Sequence, residues 1–285
     1  MPFRVLSAEA RSILSPTTGF IKEAGFTHSL TPARNCTYGC SYCYVPTMRI
    51  YAGLRREDWE HWGEFTTFKH NAAKLLQRAV RQHASVYCSP LVDPWQPAEE
   101  QQRMMPAILE ALAQGPPRLI TFQTRSPGIM RDLDLLLVLA RKTDVRVSFS
   151  ITTDRDDVRR MYEPHCETNP LRLAAIRQLT AAGIRTFATL APILPCNPEM
   201  LVEAAAEASA EDFVGDPLHI RATKRTGATT RPAAARIAAQ HGHEQWFEPA
   251  FQNEVVERIR AAAHRHGRRF ETGPEGFSWL SQISR

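Results

Sequence analysis

"PLRLAAIRQLTAAGIRTFATLAPI", residues 170–193, passes from one kind of element to another at a single glycine. Up to Ala182 its apolar residues recur at helical spacing, opened by Asn169-Pro170 and stopped by Gly183, while 184–193 is a short apolar run of strand length. The alternation continues outward. Strands are expected at 85–89, 118–124, 145–151 and 216–222, and "FTHSL" at 26–30 adds one more. Helices are expected at 71–82, 102–113, 131–142 and 198–209, the last opened by Asn197-Pro198. Strand and helix in strict turn imply parallel strands joined by right-handed crossovers. About six such units fall short of the eight of a closed barrel, so the expected fold is α/β, a partial (β/α)6 TIM-type barrel. Its chemistry belongs on loops leaving the carboxyl ends of the strands.

Around this body, residues 1–25 read as an N-terminal lead-in, 26–222 as the barrel, and 223–285 as a mostly helical C-terminal extension packing on or capping it. In the last part "EVVERIRAAAHRHGRR", 254–269, places Val255, Val256, Ile259, Ala262 and Ala263 on one helical face, stopped by Gly267. The segment 223–236, "TKRTGATTRPAAAR", is polar and basic enough to be a mobile loop.

The chain has 285 residues, 43% hydrophobic and 23% charged, an ordinary globular composition. It contains no apolar run of membrane-spanning length and no signal-peptide pattern at "MPFRVLSAEARSIL", so a soluble cytoplasmic protein without membrane association is expected. In a reducing compartment the six cysteines are metal ligands, reactive thiols or core residues rather than a disulfide framework. The net charge of +5 leans basic. Arg221, Lys224, Arg225, Arg231 and Arg236, with "HRHGRR" at 264–269, suit phosphate contact, but the lack of an aromatic interleaved in 221–236 to stack a base favours a solvated basic surface.

Three of the cysteines stand together in "ARNCTYGCSYCYVP", 33–46, as Cys36-x3-Cys40-x2-Cys43. Three thiolates on one loop can each reach a different iron of a cubane cluster and leave the fourth iron open. Zinc would require a fourth ligand of matching spacing, and Cys88, Cys166 and Cys196 are scattered singly. Zinc, a dithiol redox pair and chance core cysteines remain the alternatives at this point. Tyr42 and Tyr44 flank Cys43 and hold a flat ring where an adenine would stack.

This cysteine spacing, with an aromatic inside the last pair, resembles the signature of radical S-adenosylmethionine enzymes. The resemblance extends through "RSILSPTTGFIKEAGFTHSL", "VDPWQPAEEQQRMMPAILEAL", "ITFQTRSPGIMRDLDLL", "VSFSITTD" and "EPHCETNPLRLAAIRQLTAAGIRTFATLAPILP", blocks similar in order to the spore photoproduct lyase-like branch. It implies a [4Fe-4S] cluster on Cys36, Cys40 and Cys43, with S-adenosylmethionine chelating the open iron. Reductive cleavage of that cofactor then yields a 5′-deoxyadenosyl radical that abstracts hydrogen from a substrate. It also implies an electron donor such as flavodoxin or ferredoxin. The candidate substrate is a nucleic-acid lesion or nucleotide, the alternative a small metabolite or peptide. From another class altogether, the chain would be a nucleic-acid-binding protein with a structural metal site.

Other positions take roles from the same likeness. Where the family usually has Thr-Lys-Ser, this chain has Thr124-Arg125-Ser126, and Arg125 is assigned to the cofactor carboxylate through its planar fork. Ser148, Ser150 and Thr152 alternate on one strand face, where their hydroxyls would meet the ribose or methionine, or would simply fill the barrel. Asp93 and Gln96 of "DPWQPAE" are expected at the mouth. Cys88 stands about where the lyases carry a cysteine that returns hydrogen to the product radical; a buried core cysteine is its competing reading.

Overall fold

The structure, a computed structural model, describes residues 3–48, 59–79, 82–220 and 229–282. Their strands form two sheets. The smaller one joins β1 (Arg4–Ala8), β5 (Phe65–Lys69) and β4 (Ala33–Arg34). The larger runs in the order β2 (Leu14–Pro16), β3 (His28–Leu30), β6 (Ser85–Cys88), β7 (Leu119–Thr124), β8 (Asp144–Ser150), β9 (Arg185–Ile193), β10 (Phe213–Pro217) and β11 (Phe270–Thr272). Every neighbouring pair in it is parallel except β2 with β3. Strands β2 and β11 are the two edges of this sheet among the described residues, so the barrel is partial and open.

Two features depart from the sequence reading. The strand expected at 216–222 lies earlier, at β10, because Phe213 and Val214 are the residues that bury. The sheet also recruits β2 from the lead-in and β11 from the extension, three residues each, too short to show a two-residue period.

Helices fill the crossovers: α1 (Gly19–Glu23), α2 (Ala72–Ala79), α3 (Glu99–Gln102), α4 (Met104–Gln114), α5 (Leu133–Ala140), α6 (Asp156–Tyr162), α7 (Asn169–Ala181) and α8 (Pro198–Ala208). The single helix expected over 102–113 is divided at Arg103, which turns left-handed at φ 51°. Asn197 caps α8 as expected, its side chain accepting from the Met200 N–H at 3.1 Å. Beyond the barrel come α9 (Pro232–His241), α10 (Pro249–Arg265) and α11 (Gly273–Ser278). The loop expected over 223–236 is corrected at its end, since Pro232 opens α9 and the alanines that follow favour helix. Arg221, Lys224 and Arg225 lie outside the described residues.

Strand alternation sorts the side chains into two environments. Val86, Ile120, Phe122, Val147, Phe149, Ala188 and Leu190 point outward into one apolar cluster with Ile108, Leu139, Ile176 and Val202 of the helices. Each of these side chains larger than alanine contributes about 1.5–3 kcal/mol by leaving water. Tyr87, Thr121, Gln123, Arg146, Ser148, Ser150, Phe187 and Thr189 occupy the opposite, inner face, which is largely polar.

The amino end of the barrel is closed by the chain's own C-terminal segment. Thr121 Oγ1 donates to the Leu280 carbonyl at 2.7 Å and Arg146 Nη1 to the Trp279 carbonyl at 2.8 Å. Phe277 and Leu280 pack there with Phe26, Tyr87, Leu119, Phe187 and Val214. The extension therefore supplies a strand and a floor, and leaves the carboxyl ends of the strands to form the mouth.

Candidate active site at the barrel mouth

After β3 and β4 the chain enters the cysteine loop, tightened by two successive turns: Gly39 N–H to the Cys36 carbonyl at 3.3 Å and Cys43 N–H to the Cys40 carbonyl at 3.1 Å. Gly39 sits at φ +63°, and a Cβ on Gly63 would lie 2.5 Å from its Cα, so two backbones meet where no side chain fits. Gln96 holds the loop from the β6 side, its Oε1 accepting from Thr37 N–H at 2.8 Å and Thr37 Oγ1 at 3.1 Å. Cys36 and Cys40 are buried and Cys43 is half-buried.

The backbone of Asp93 and Tyr38 lies beside Cys36, that of Val45 beside Cys43, and Cys166 and Arg125 are among the groups around Cys40. Burial pushes the Cys36 thiol up and the Cys43 thiol to about 12, whereas the Cys166 contact, against burial, draws Cys40 down. Three free thiols, buried or half-buried on one tightly turned loop, fit an iron–sulfur cluster whose irons each take one of them. Among the described residues no three His, Cys, Asp or Glu side chains are placed around a single metal ion.

Beside the loop stands a carboxylate that sequence reading passed over. Glu163, wholly buried, accepts at Oε1 from Tyr42 Oη, from Arg125 Nη1 at 2.7 Å and from Thr152 Oγ1 at 2.9 Å, and at Oε2 from Arg172 Nη1 at 2.6 Å. Burial pushes this carboxyl up, yet Arg172 and Arg125 overcome it and hold the group at about 2. Tyr42, Arg125 and Thr152, three of the expected cofactor residues, are thus gathered on one anion. The Arg125 guanidinium also lies 5.7 Å from the centre of the Tyr42 ring, covering one face. Its Nη1 is occupied by these two residues, and its backbone N–H is held by Asp93 Oδ2 at 2.8 Å.

A legible signal for Glu163 did exist. Arg172 occupies the buried stripe of α7 with Ala175, Ile176 and Leu179, and an arginine on an apolar face demands an anion within the core.

Ser148 and Ser150 fall in a second, uncharged network. Gln123 Nε2 donates to Ser150 Oγ at 2.8 Å, while its Oε1 accepts from Ser148 Oγ at 2.8 Å and from Tyr87 Oη. Thr189 Oγ1 lies 2.6 Å from Ser148 Oγ. The Arg172 Nη2 bond to the Ser150 carbonyl ties the two networks together.

Asp93 braces the mouth, accepting from Trp95 N–H, Thr124 Oγ1 and Arg125 N–H at 2.8–2.9 Å; burial lifts it to about 6 against these bonds. Cys88 is 0% exposed and alternates with Tyr87, so its side chain leaves β6 on the face opposite the Gln123 network. The structure does not bring it together with the inward-facing hydroxyls. Of the basic residues, Arg231 is half-buried and donates from Nη2 to the Trp59 carbonyl at 3.4 Å.

Residues 30–208 match the sequence profile of the Radical SAM superfamily. A protein of Mycobacterium tuberculosis, itself uncharacterized, is 28% identical over 70% of this chain and 61% of its own length. A Methanocaldococcus jannaschii protein, also uncharacterized, is 23% identical over 67% of this chain and 68% of its own. The chain spans about 61% of the length of the mycobacterial relatives. Among solved structures, spore photoproduct lyase complexed with dinucleoside spore photoproduct shares the fold at 15% identity and TM-score 0.62, over 94% of this chain and 81% of that one. A mutant of that lyase with bound AdoMet and dinucleoside spore photoproduct matches at 14% identity and TM-score 0.61, with the same coverage.

Proposed function

The chain belongs to the radical SAM superfamily, and we propose that it is an enzyme using S-adenosylmethionine at a [4Fe-4S] cluster held by Cys36, Cys40 and Cys43 to begin radical chemistry on a substrate at the barrel mouth. The observation that carries this reading is the cysteine loop itself, with three free thiols gathered at the carboxyl end of a partial barrel inside the matched span. When bound, the pair supplies one-electron reductive cleavage of the sulfonium to a 5′-deoxyadenosyl radical, with the electron coming from a donor such as flavodoxin or ferredoxin.

The chain's own residues prepare the site. Glu163 fixes Arg125 and Tyr42 in one arrangement, so the guanidinium edge left over from that pair is presented in a set direction for a carboxylate. Gln123, Ser148 and Ser150 offer hydroxyl and amide groups on the inner barrel face for a ribose or an amino acid moiety. The apolar outer layer and the C-terminal floor exclude water from below.

For the substrate we favour a nucleic-acid lesion or modified nucleotide, with a lyase-like outcome. The fold shared with spore photoproduct lyase and the net charge of +5 support this over a small metabolite or peptide. Cys88 as hydrogen donor belongs to the same proposal and requires the product radical to reach the outer face of β6.

Anaerobic reconstitution with iron and sulfide tests the core claim: the protein should turn brown, bind about four irons and, once reduced, convert S-adenosylmethionine to 5′-deoxyadenosine. A colourless protein holding one zinc overturns it and leaves a structural metal site. Deuterium transfer into 5′-deoxyadenosine from labelled DNA, RNA and metabolite extracts then identifies the substrate class.

A further inference from the structure

The strand ends that carry the mouth network also carry a cavity beside it. On the loop leaving β8, Thr152 Oγ1 donates to Glu163 at 2.9 Å, and the next residue, Thr153, donates from Oγ1 to the Pro195 carbonyl beyond β9 at 2.7 Å. Pro195 and Pro198 line a cavity of about 370 Å³ together with Arg155 and, from the C-terminal extension, Trp246, Phe251 and Arg258. That volume falls within the range of small-ligand sites, about 300–1,000 Å³.

The lining divides into a flat apolar part and a row of donors. Trp246 is buried and Phe251 half-buried, and their rings meet edge to face with centres 5.2 Å apart at 78°. Arg155 and Arg258 are exposed, and each guanidinium is fixed by a carboxylate that grips it on Nε and Nη2: Asp157 holds Arg155 at 3.3 and 2.7 Å, and Glu199 holds Arg258 at 3.1 and 2.7 Å. Nη1 of both arginines makes no bond among the described residues. No acidic side chain among those residues lines the cavity.

We propose that this cavity is a subsite for one nucleotide of a single-stranded nucleic acid, the one next along the strand from the nucleotide at the mouth, with its base against Trp246 and Phe251 and its phosphate on Nη1 of Arg155 and Arg258.

This rests on the nucleic-acid reading of the substrate given above and names where the flanking nucleotide sits. Every base presents a flat apolar face that an aromatic ring removes from water, and a phosphate oxygen accepts from a guanidinium. An arginine already paired with a carboxylate adds little net charge, but its remaining N–H groups are held in a set direction, so it orients a phosphate more than it attracts one. An acidic peptide offers oxygens to the arginines but no flat face to the rings. The aromatic that 221–236 lacks is supplied from 246 and 251, which the fold brings to the barrel rim.

The test measures binding of a fluorescein-labelled thymidylate hexamer to the reconstituted full chain by fluorescence anisotropy over a range of salt concentrations. Arg155→Gln and Arg258→Gln should each weaken binding about tenfold and lower the salt slope by about one. Arg269→Gln breaks an equivalent pair, with Asp212 at the amino end of β10, and should change affinity by less than about twofold. Phe251→Leu should weaken binding by about fivefold or more through lost stacking. With 5-iodouracil in the strand, irradiation should crosslink it to the peptide that carries Trp246 or Phe251. Equal losses in Arg269→Gln and the two cavity variants would reduce the effect to overall charge and overturn the subsite. Unchanged binding in the cavity variants with crosslinks elsewhere also overturns it, as does equal competition by a glutamate hexamer. In those cases a strand that still binds leaves the nucleic-acid reading standing. A chain that binds no strand overturns both the subsite and that reading, while cluster assembly and cofactor cleavage in the same preparation decide the radical chemistry separately.

Discussion

Arg172 and Arg146 are both wholly buried, at opposite ends of one barrel, and they are held in different ways. At the mouth, Arg172 faces Glu163, a carboxylate as buried as itself, and through it reaches Arg125, Tyr42 and Thr152. At the floor, Arg146 makes a two-pronged pair with Asp144, at 3.1 and 2.6 Å, whose side chain keeps 26% exposure, and spends its remaining nitrogen on the Trp279 carbonyl. The first arginine and its carboxylate are both shut off from water. The second is a clamp between a strand and the C-terminal segment. Desolvated charge is kept where orientation is needed, and partly solvated charge where only attachment is needed.

The largest effect should come from the loop that the mouth network surrounds. Replacing Cys36, Cys40 or Cys43 by Ala is expected to abolish cofactor cleavage and to drop iron content after reconstitution, as measured by colorimetric iron assay. The thermal transition of the iron-free chain should move far less.

Next, Glu163→Gln leaves Arg172 and Arg125 without their anion, and a denaturant titration should show a loss of roughly 3–5 kcal/mol. The same pair predicts an acid limb. Glu163 is held at about 2, below its ordinary 4.5, so its contribution is complete above about pH 4.5 and disappears as the pH falls towards 2. That part of the unsubstituted chain's pH dependence should be missing in Glu163→Gln. An identical acid limb in both would separate Glu163 from the network.

The floor should respond more mildly. Arg146→Met removes the clamp but leaves Asp144 with water, for an expected cost of about 1–3 kcal/mol. Hydrogen exchange should then speed up in 279–281 while the cysteine loop stays protected. Equal deprotection of both ends would erase the distinction drawn between them. Smallest of all, Ser148→Ala takes one donor from Gln123, which keeps Tyr87, so stability should fall by about 1 kcal/mol and the apparent affinity for S-adenosylmethionine should weaken more than its cleavage rate.

These contrasts were unequally visible in the chain. The mouth was legible where its chemistry is local: Cys36, Cys40 and Cys43 announce themselves by spacing, and Gln96 by its place in "DPWQPAE". Glu163 itself gave no sign, because a lone acid before a proline has no period and its four partners come from residues 42, 125, 152 and 172; only Arg172 on the apolar stripe of α7 called for a buried anion. The floor was equally hidden. Strand β11 has three residues, and Thr121 gives no sign in sequence of a partner 159 positions away.

What the sequence determined by itself was the alternation of elements, the parallel barrel that follows from it, and the cysteine loop. Each of these depends on periodicity or spacing within a few dozen residues. Tertiary structure alone decided which face Cys88 takes, that Arg125 and Tyr42 share an anion, and that the C-terminus forms the floor. The reason is one of range. Side-chain periods and turn preferences act between near neighbours, whereas the pairing of a buried charge and the closing of a barrel end are settled by whatever distant segment can satisfy them away from water.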